Sequence, residues 1–314
     1  MTLDTIGIDI AKEKFDAYRM SDQQHRVFAN TAKGFREFEK WLTNCDIERI
    51  VFETTGAYHQ RFERNFAGRL PLVKVNPLQA KRFAQSMGTR AKTDKVDAKM
   101  LAQMGISLKK VADTPKDKNH HILSELRVAR VARAALIKAK VAEKNRLQQQ
   151  NLKLTRAMTK RRLAQTEKDI AKIDAEINQI ISANEPQKRA YEIIKSIPGF
   201  GEVAANAILI EMPEIGTLEK KTVAALAGLA PFARQSGKWT GKAVIQGGRK
   251  SLRDSLYMPA VVATKHNPDL RDKYQQMKEA GKPSKVAIIA IMRKLIILAN
   301  TLVKENRKWG NNHA

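Results

Sequence analysis

Cysteine is nearly absent from this chain of 314 residues, which holds only Cys45. That excludes an internal disulfide and a cysteine-based zinc site. The six histidines show no metal-ligand spacing, and the adjacent pair His120-His121 lies in a polar segment. No Gly-x-Ser-x-Gly elbow and no Ser-His-Asp signature is present, which argues against that kind of hydrolase. The N-terminus carries Asp4 and Asp9 and lacks a signal-peptide hydrophobic region. No apolar run long enough to span a bilayer is expected, because Val286 to Asn300 is interrupted by Arg293 and Lys294. Glycine disappears between about 120 and 195, where Pro186 is the one proline. Acid is the scarcer charge. Asp and Glu number 32 against 58 Lys and Arg, leaving +26 and a pI near 10.2. A polyanionic partner is expected, with nucleic acid favoured over an anionic membrane surface. The hydrophobic share of 43% suffices for an ordinary core, and the length favours two domains over one. A bacterial cytoplasmic, nucleoid-associated protein is the simplest expectation.

Against this basic background four carboxylates stand out. Asp9 ends the apolar run Thr5-Ile6-Gly7-Ile8, and Glu53 ends Arg49-Ile50-Val51-Phe52 before the turn-like Thr54-Thr55-Gly56. Asp94 and Asp97 open a helical stretch, three residues apart and so on one helix face. Singly, each acid reads as a turn residue, a cap or a helix-start charge. Together, two strand-end acids and a helical pair can hold hard divalent cations, Mg²⁺ or Mn²⁺, for phosphodiester chemistry.

The first 105 residues or so alternate strand and helix signals. Strands are expected at Thr5–Ile10, Phe15–Met20, Arg26–Asn30, Arg49–Glu53 and Leu72–Asn76. Helices are expected at Ala32–Leu42, before Leu70, and at Pro77–Gln85. Three strands, helix, strand, helix, strand is the order of a ribonuclease H-like fold. Its first acid lies on the first strand and its second at the end of the fourth, where Asp9 and Glu53 fall.

Residues 127 to 162 carry twelve Lys or Arg and one acid, Glu143. A solvated helix face normally mixes both signs, so a basic arm touching nucleic acid is favoured. Arg127, Arg130, Arg133, Arg156, Lys160 and Arg161 are its candidates. Leu163, Ile170 and Ile177, with Ile173 and Ile180 between them, form a modest heptad seam that predicts helix pairing, within the chain or between subunits. Ile197-Pro198-Gly199-Phe200-Gly201 before an Ala-rich helix looks like the turn of a helix-hairpin-helix, whose backbone N–H groups can bind phosphate. The bland alternative is a tight turn between packed helices.

A loop follows from Phe232 to Lys242, holding Ser236 between Arg234 and Lys238; Arg249 and Lys250 lie just beyond it. These four cations are further candidates for nucleic-acid contact. A serine needs a base, a metal or a positive field to become a nucleophile. From its chemistry alone, Ser236 reads as a loop hydrogen-bonder. Ser251, the competing serine, reads as the cap of the helical stretch Leu252 to Val262.

Taken in order, several segments are similar to the DEDD transposases of the insertion-sequence one-ten family, the bridge-RNA-guided recombinases. They are Gly7-Ile8-Asp9-Ile10-Ala11-Lys12, Phe52-Glu53-Thr54-Thr55-Gly56, Lys92-Thr93-Asp94-Lys95-Val96-Asp97-Ala98, Ile197-Pro198-Gly199-Phe200-Gly201, Ala227-Gly228-Leu229-Ala230-Pro231, Gln235-Ser236-Gly237 and Leu252-Arg253-Asp254-Ser255-Leu256-Tyr257-Met258-Pro259. The resemblance implies an α/β plus α architecture. A RuvC-like domain would cover 1–118, a basic coiled-coil segment 119–190, and a mainly helical transposase domain 191–314. It implies divalent metal on Asp9, Glu53, Asp94 and Asp97, and Ser236 as the residue that attacks DNA. It further implies donor and target DNA as substrates, a structured guide (bridge) RNA, and dimers to a tetramer with composite sites. The expected activity is RNA-guided, site-specific recombination through a phosphoserine. A RuvC-like Holliday-junction nuclease is the alternative, and a non-catalytic RNA-binding protein a third reading.

Overall fold

A five-stranded mixed sheet centres residues 1–120, in the order β3-β2-β1-β4-β5. The computed structural model describes residues 3–43, 45–54, 58–88, 93–107, 120–233, 235–236, 239–241 and 243–310, with backbone alone at 120–121, 235–236 and 239–240. The strands are β1 (Asp4–Ile10), β2 (Lys14–Arg19), β3 (His25–Ala29), β4 (Ile47–Glu53) and β5 (Leu72–Val75). β1 to β3 form an antiparallel meander, while β4 and β5 add in parallel beside β1. Between and after them come α1 (Ala32–Leu42), α2 (His59–Phe66), α3 (Pro77–Ser86) and α4 (Asp94–Ser107). Every expected strand and helix in this stretch forms, with ends shifted by a few residues at most. The unit is consistent with a ribonuclease H-like fold.

Alternation along each strand gives the sheet two unlike faces. One face presents Ile6, Ile8, Phe15, Phe28, Ile50 and Phe52 to Phe35, Phe38, Trp41, Phe62 and Phe66 of α1 and α2. The rings interlock edge-on and tilted, as between Phe62 and Phe66 at 4.8 Å and between Phe15 and Phe38 at 5.3 Å. Each fully buried side chain of this size contributes roughly 1.5–3 kcal/mol. Local caps fix the helix entries: Thr31 accepts from the Gly34 amide, and Asn76 accepts from Leu78 ahead of α3.

The other face carries α4. Ala98 and Ala102 lie against Tyr18, and Met100, Leu101 and Met104 pack on Val51, Val73 and Val75. Here α4 rides directly over β1. A Cβ at Gly7 would overlap the carbonyl oxygen of Ala98 and the amide nitrogen of Ala102. Glycine is needed at position 7 for this close approach.

Residues 121–314 form a second compact unit. Two 30-residue helices, α5 (His120–Gln149) and α6 (Lys153–Ser182), open it. The absence of glycine and of interior proline permits such lengths. Arg133 reaches Asp174 and Lys140 reaches Glu167, so the helices run antiparallel. Of the heptad seam, Ile170 and Ile177 are buried, Leu163 is half-buried, and Ile173 and Ile180 border the unit's core. The remaining helices are α7 (Glu185–Ser196), α8 (Glu202–Glu211), α9 (Lys220–Leu226), α10 (Lys250–His266), α11 (Pro268–Glu279) and α12 (Ser284–Lys304). Their core is aliphatic: Ile193, Ile208, Leu252, Leu256, Ile291 and Leu295 are typical members.

The segment expected to be a loop, Phe232 to Lys242, instead holds two strands of two residues and is bracketed by two more. β6 (Pro231–Phe232) pairs antiparallel with β9 (Val244–Ile245), and β7 (Gln235–Ser236) pairs with β8 (Trp239–Thr240) between them. Strands this short leave no alternation to read. The base of this ribbon is tied down: Arg253 donates to the Gly247 carbonyl at 2.7 Å, and the Arg249 amide donates to Leu226 at 2.7 Å.

One expectation is corrected. By length and composition α12 could cross a membrane, the one such helix among the described residues. Arg293 and Lys294 do not interrupt its apolar character enough to prevent this. Its face of Ala287, Ile291, Leu295, Ile296 and Ala299 is buried in the unit's core, as expected of a central helix.

Candidate active site

Parallel pairing of β1 and β4 brings the first two acids together. Ile8 is aligned with Phe52, so Asp9 and Glu53 follow side by side at adjacent strand ends. Each lies two residues beyond one that faces α4, Gly7 or Val51, and so shares that face. The other two acids come from the first turn of α4. There the Thr93 hydroxyl accepts from the Val96 amide, and its carbonyl accepts from Asp97 at 2.9 Å. Burial first, and then the charges of Asp97, Asp94, Asp16 and Glu53, push the Asp9 carboxyl up to about 6. The four expected acids thus share one electrostatic neighbourhood.

Sequence reading missed a fifth acid and its partners. Asp16 pairs with Asp9 across the β1–β2 hairpin and is buried. His25 Nε2 lies 2.8 Å from its Oδ1, and Lys14 Nζ lies 3.3 Å from its Oδ2. Lys14 also donates to Asp94 Oδ2 at 2.8 Å. This bond holds the Asp94 carboxyl below its ordinary range and raises the Lys14 ammonium. The signal was available in part: Lys14 and Asp16 alternate along a strand directly after Asp9. Their adjacency to Asp9 and Asp94 needs the hairpin register.

Carboxylate oxygens suit a hard divalent ion, and the crowded charge around Asp9 is what such an ion would neutralise. The donor set fits the ion in its chemistry. Among the described residues, no three candidate ligands are close enough to enclose one. Asp94 is drawn toward Lys14 instead.

The backbone at Ser236 lies in β7, opposite Trp239. Its side chain, together with Arg234 and Lys238, falls outside the described residues. Ser251 is not the cap of α10; that place belongs to Arg249, and Ser251 lies inside the first turn, where its carbonyl accepts from Ser255 and Arg130. In the α7–α8 turn, a Cβ at Gly199 would come within 2.8 Å of Ala263 and of the Pro259 carbonyl, so this turn seats against α10. Gly201, by contrast, has open space before it.

The candidate basic residues divide into two groups. Arg130 is held by Glu211, by Ser255 Oγ at 2.9 Å and by the Ser251 carbonyl. Arg133 grips both oxygens of Asp174, at 2.5 and 3.1 Å. Arg156 donates to the carbonyls of Leu147 and Gln150, closing the turn between α5 and α6. Arg249 bonds the Glu211 carbonyl and Glu214, and Lys250 pairs with Asp254. These five have partners within the protein. Arg127, Lys160 and Arg161 are exposed.

A basic chain with carboxylates gathered at parallel strand ends has the plan of a ribonuclease H-like enzyme acting on polynucleotides. A family model described as a transposase, of the DEDD type of IS110, matches residues 6–157, and a second, the "Transposase IS116/IS110/IS902 family", matches residues 191–275. Pilin gene-inverting proteins of Moraxella bovis and Moraxella lacunata are each 30% identical over 316 residues, covering 97% of both chains. An uncharacterized 42 kDa protein of insertion element IS900 from Mycobacterium paratuberculosis is 28% identical over 46% of this chain and 38% of its own length. The chain belongs to the IS110 family of DEDD transposases. Its class is that of enzymes acting on DNA.

Proposed function

We propose that the chain is an RNA-guided, site-specific DNA recombinase that moves its own element. One observation carries the metal-dependent DNA chemistry of this reading: in a chain of this family, acids from two adjacent strand ends and from the first turn of α4 share one charged neighbourhood at Asp9; guidance by RNA rests on the family resemblance alone. Residues 1–118 serve as a RuvC-like domain, 119–190 as a basic helical segment and 191–314 as the transposase domain. Asp9, Glu53, Asp94 and Asp97 hold Mg²⁺ or Mn²⁺, which neutralises charge developing on the phosphate. Ser236 Oγ attacks the scissile phosphorus, the bond to the 3′-oxygen breaks, and a phosphoserine and a free 3′-hydroxyl result. The proton lost by the serine balances the one gained by the 3′-oxygen. A 3′-hydroxyl from the partner strand then reverses the step, so no high-energy cofactor is consumed. A structured RNA supplies sequence choice by pairing with donor and target DNA, and assembly runs from dimer to tetramer.

The test is a suicide substrate, nicked so that the released strand diffuses away. Wild-type protein should form an SDS-stable, hydroxylamine-resistant adduct that mass spectrometry places on Ser236. Ser236→Ala should bind DNA yet form none, and Asp9→Asn should fold but not cleave. Cleavage by Ser236→Ala in Mg²⁺ would replace this reading with a metal-dependent, junction-type nuclease.

A further inference from the structure

Asp94 Oδ2 already has a cation beside it, the Lys14 ammonium at 2.8 Å. Lys14 is half-exposed, yet two carboxylates hold it. It projects from β2 on the α4 side, two residues from the buried Asp16, and contacts that carboxylate as well. Asp16 is fixed in turn, since His25 on β3 occupies its other oxygen and the sheet pairs it with Asp9. The ammonium therefore stands between one acid expected to hold metal and one that is not. It occupies one of the two Asp94 oxygens that a divalent ion could use.

We propose that Lys14 is a built-in counter-ion of the acid cluster: it holds Asp94 while no divalent ion is bound, yields it when one binds, and stays tethered to Asp16. It is a positioning residue, acting through Asp94. The inference rests on the metal reading above. It follows from elementary competition: a tethered positive charge and a divalent ion on the same carboxylate would repel each other. Without any cation, Asp16 and Asp94, both within reach of one ammonium, would repel one another. Lys14 relieves that repulsion for Asp94 and Asp16.

The experiment is a Mn²⁺ titration of the full chain followed by electron paramagnetic resonance, with no DNA present. Wild type should bind Mn²⁺ at a site lost in Asp9→Asn. Lys14→Gln should bind it roughly fivefold more tightly, the size expected for removing one partly exposed competing charge. Lys14→Arg, which keeps the charge, should stay near wild type, and Lys33→Gln, an exposed lysine at the start of α1, should be unchanged. In EDTA, Lys14→Gln should also lower the denaturant midpoint, showing that the ammonium supports the metal-free fold. Unchanged or weaker Mn²⁺ binding by Lys14→Gln, beside normal wild-type binding, would overturn the counter-ion role alone. Absence of any Asp9-dependent Mn²⁺ site in wild type would overturn the metal reading and this inference together.

Discussion

The two faces of the N-terminal sheet are built on opposite principles. The α1–α2 face is filled by bulk, with eight aromatic rings meshed over isoleucines. The α4 face is filled by closeness: alanines and a glycine let a helix lie almost on the strand backbone. Bulk can relax around a lost methylene, whereas backbone against backbone cannot move aside. The candidate site lies on the second face. The chain thus places its charge cluster where position is least adjustable, and leaves the adjustable packing on the other side.

Neighbouring residues offer the sharpest way to break that contrast. Gly7→Val, on the close-packed face, should cost about 5 kcal/mol or prevent folding altogether. Ile8→Val, one residue on and facing the aromatic side, should cost about 1 kcal/mol. Urea denaturation compares them directly, and similar losses for the two would mean that α4 can shift to accommodate a side chain.

A smaller effect comes from Asp9. Its folded-state carboxyl titrates near 6 against an ordinary value of 3.8, so the folded protein holds that proton more tightly than the unfolded chain does. The contribution of Asp9 to the stability of the metal-free protein should therefore be fully present below about pH 4, fall between about 4 and 6, and be lost above. Asp9→Asn should remove this fall, gaining about 1 kcal/mol relative to wild type above pH 6 once solvent screening of a partly exposed group is allowed for. Denaturant midpoints in EDTA across this range check it; a wild-type-to-variant difference independent of pH would count against the crowded-charge account.

The least drastic change concerns the basic helices, where the structure sharpens an expectation. Reversing Arg127, Lys160 and Arg161 should weaken DNA binding and reduce the log–log salt slope by roughly 0.7 to 0.9 for each lost phosphate contact. Reversing Arg130 or Arg133 should act mainly on stability, because their guanidinium groups are engaged by Glu211 and Asp174. Equal salt slopes across all these variants would remove nucleic acid from this surface.

Much of the N-terminal fold was legible because strand alternation and turn residues act over a few positions. Asp9 and Glu53 could be read at strand ends, and Asp94 and Asp97 as a helical pair, from such local patterns. Lys14 and Asp16 were not legible as members of the site, since only the hairpin register sets Asp16 opposite Asp9 and only α4 docking brings Asp94 to Lys14. The same limit applied to the arginines. Nothing near Arg130 in sequence reveals Glu211 as its partner, and a row of cations looks equally free from end to end. Ser251 sits inside α10 and not at its cap, because the helix begins earlier than its apolar stretch does.

The seating of α4 on Gly7 also makes the site a matter of phase. Ala98 and Ala102 fix where the helix touches the strand, and Asp94 and Asp97 precede that contact within about one turn. One residue inserted between Asp97 and Ala98 would rotate both acids by about 100° about the helix axis and advance them about 1.5 Å, with the contact itself untouched. Such a protein would keep its sheet, its aromatic face and its helix count, yet Asp94 and Asp97 would leave the neighbourhood of Asp9. The spacing from acid to alanine in α4 is thus a ruler for the site, independent of any side chain that packs around it.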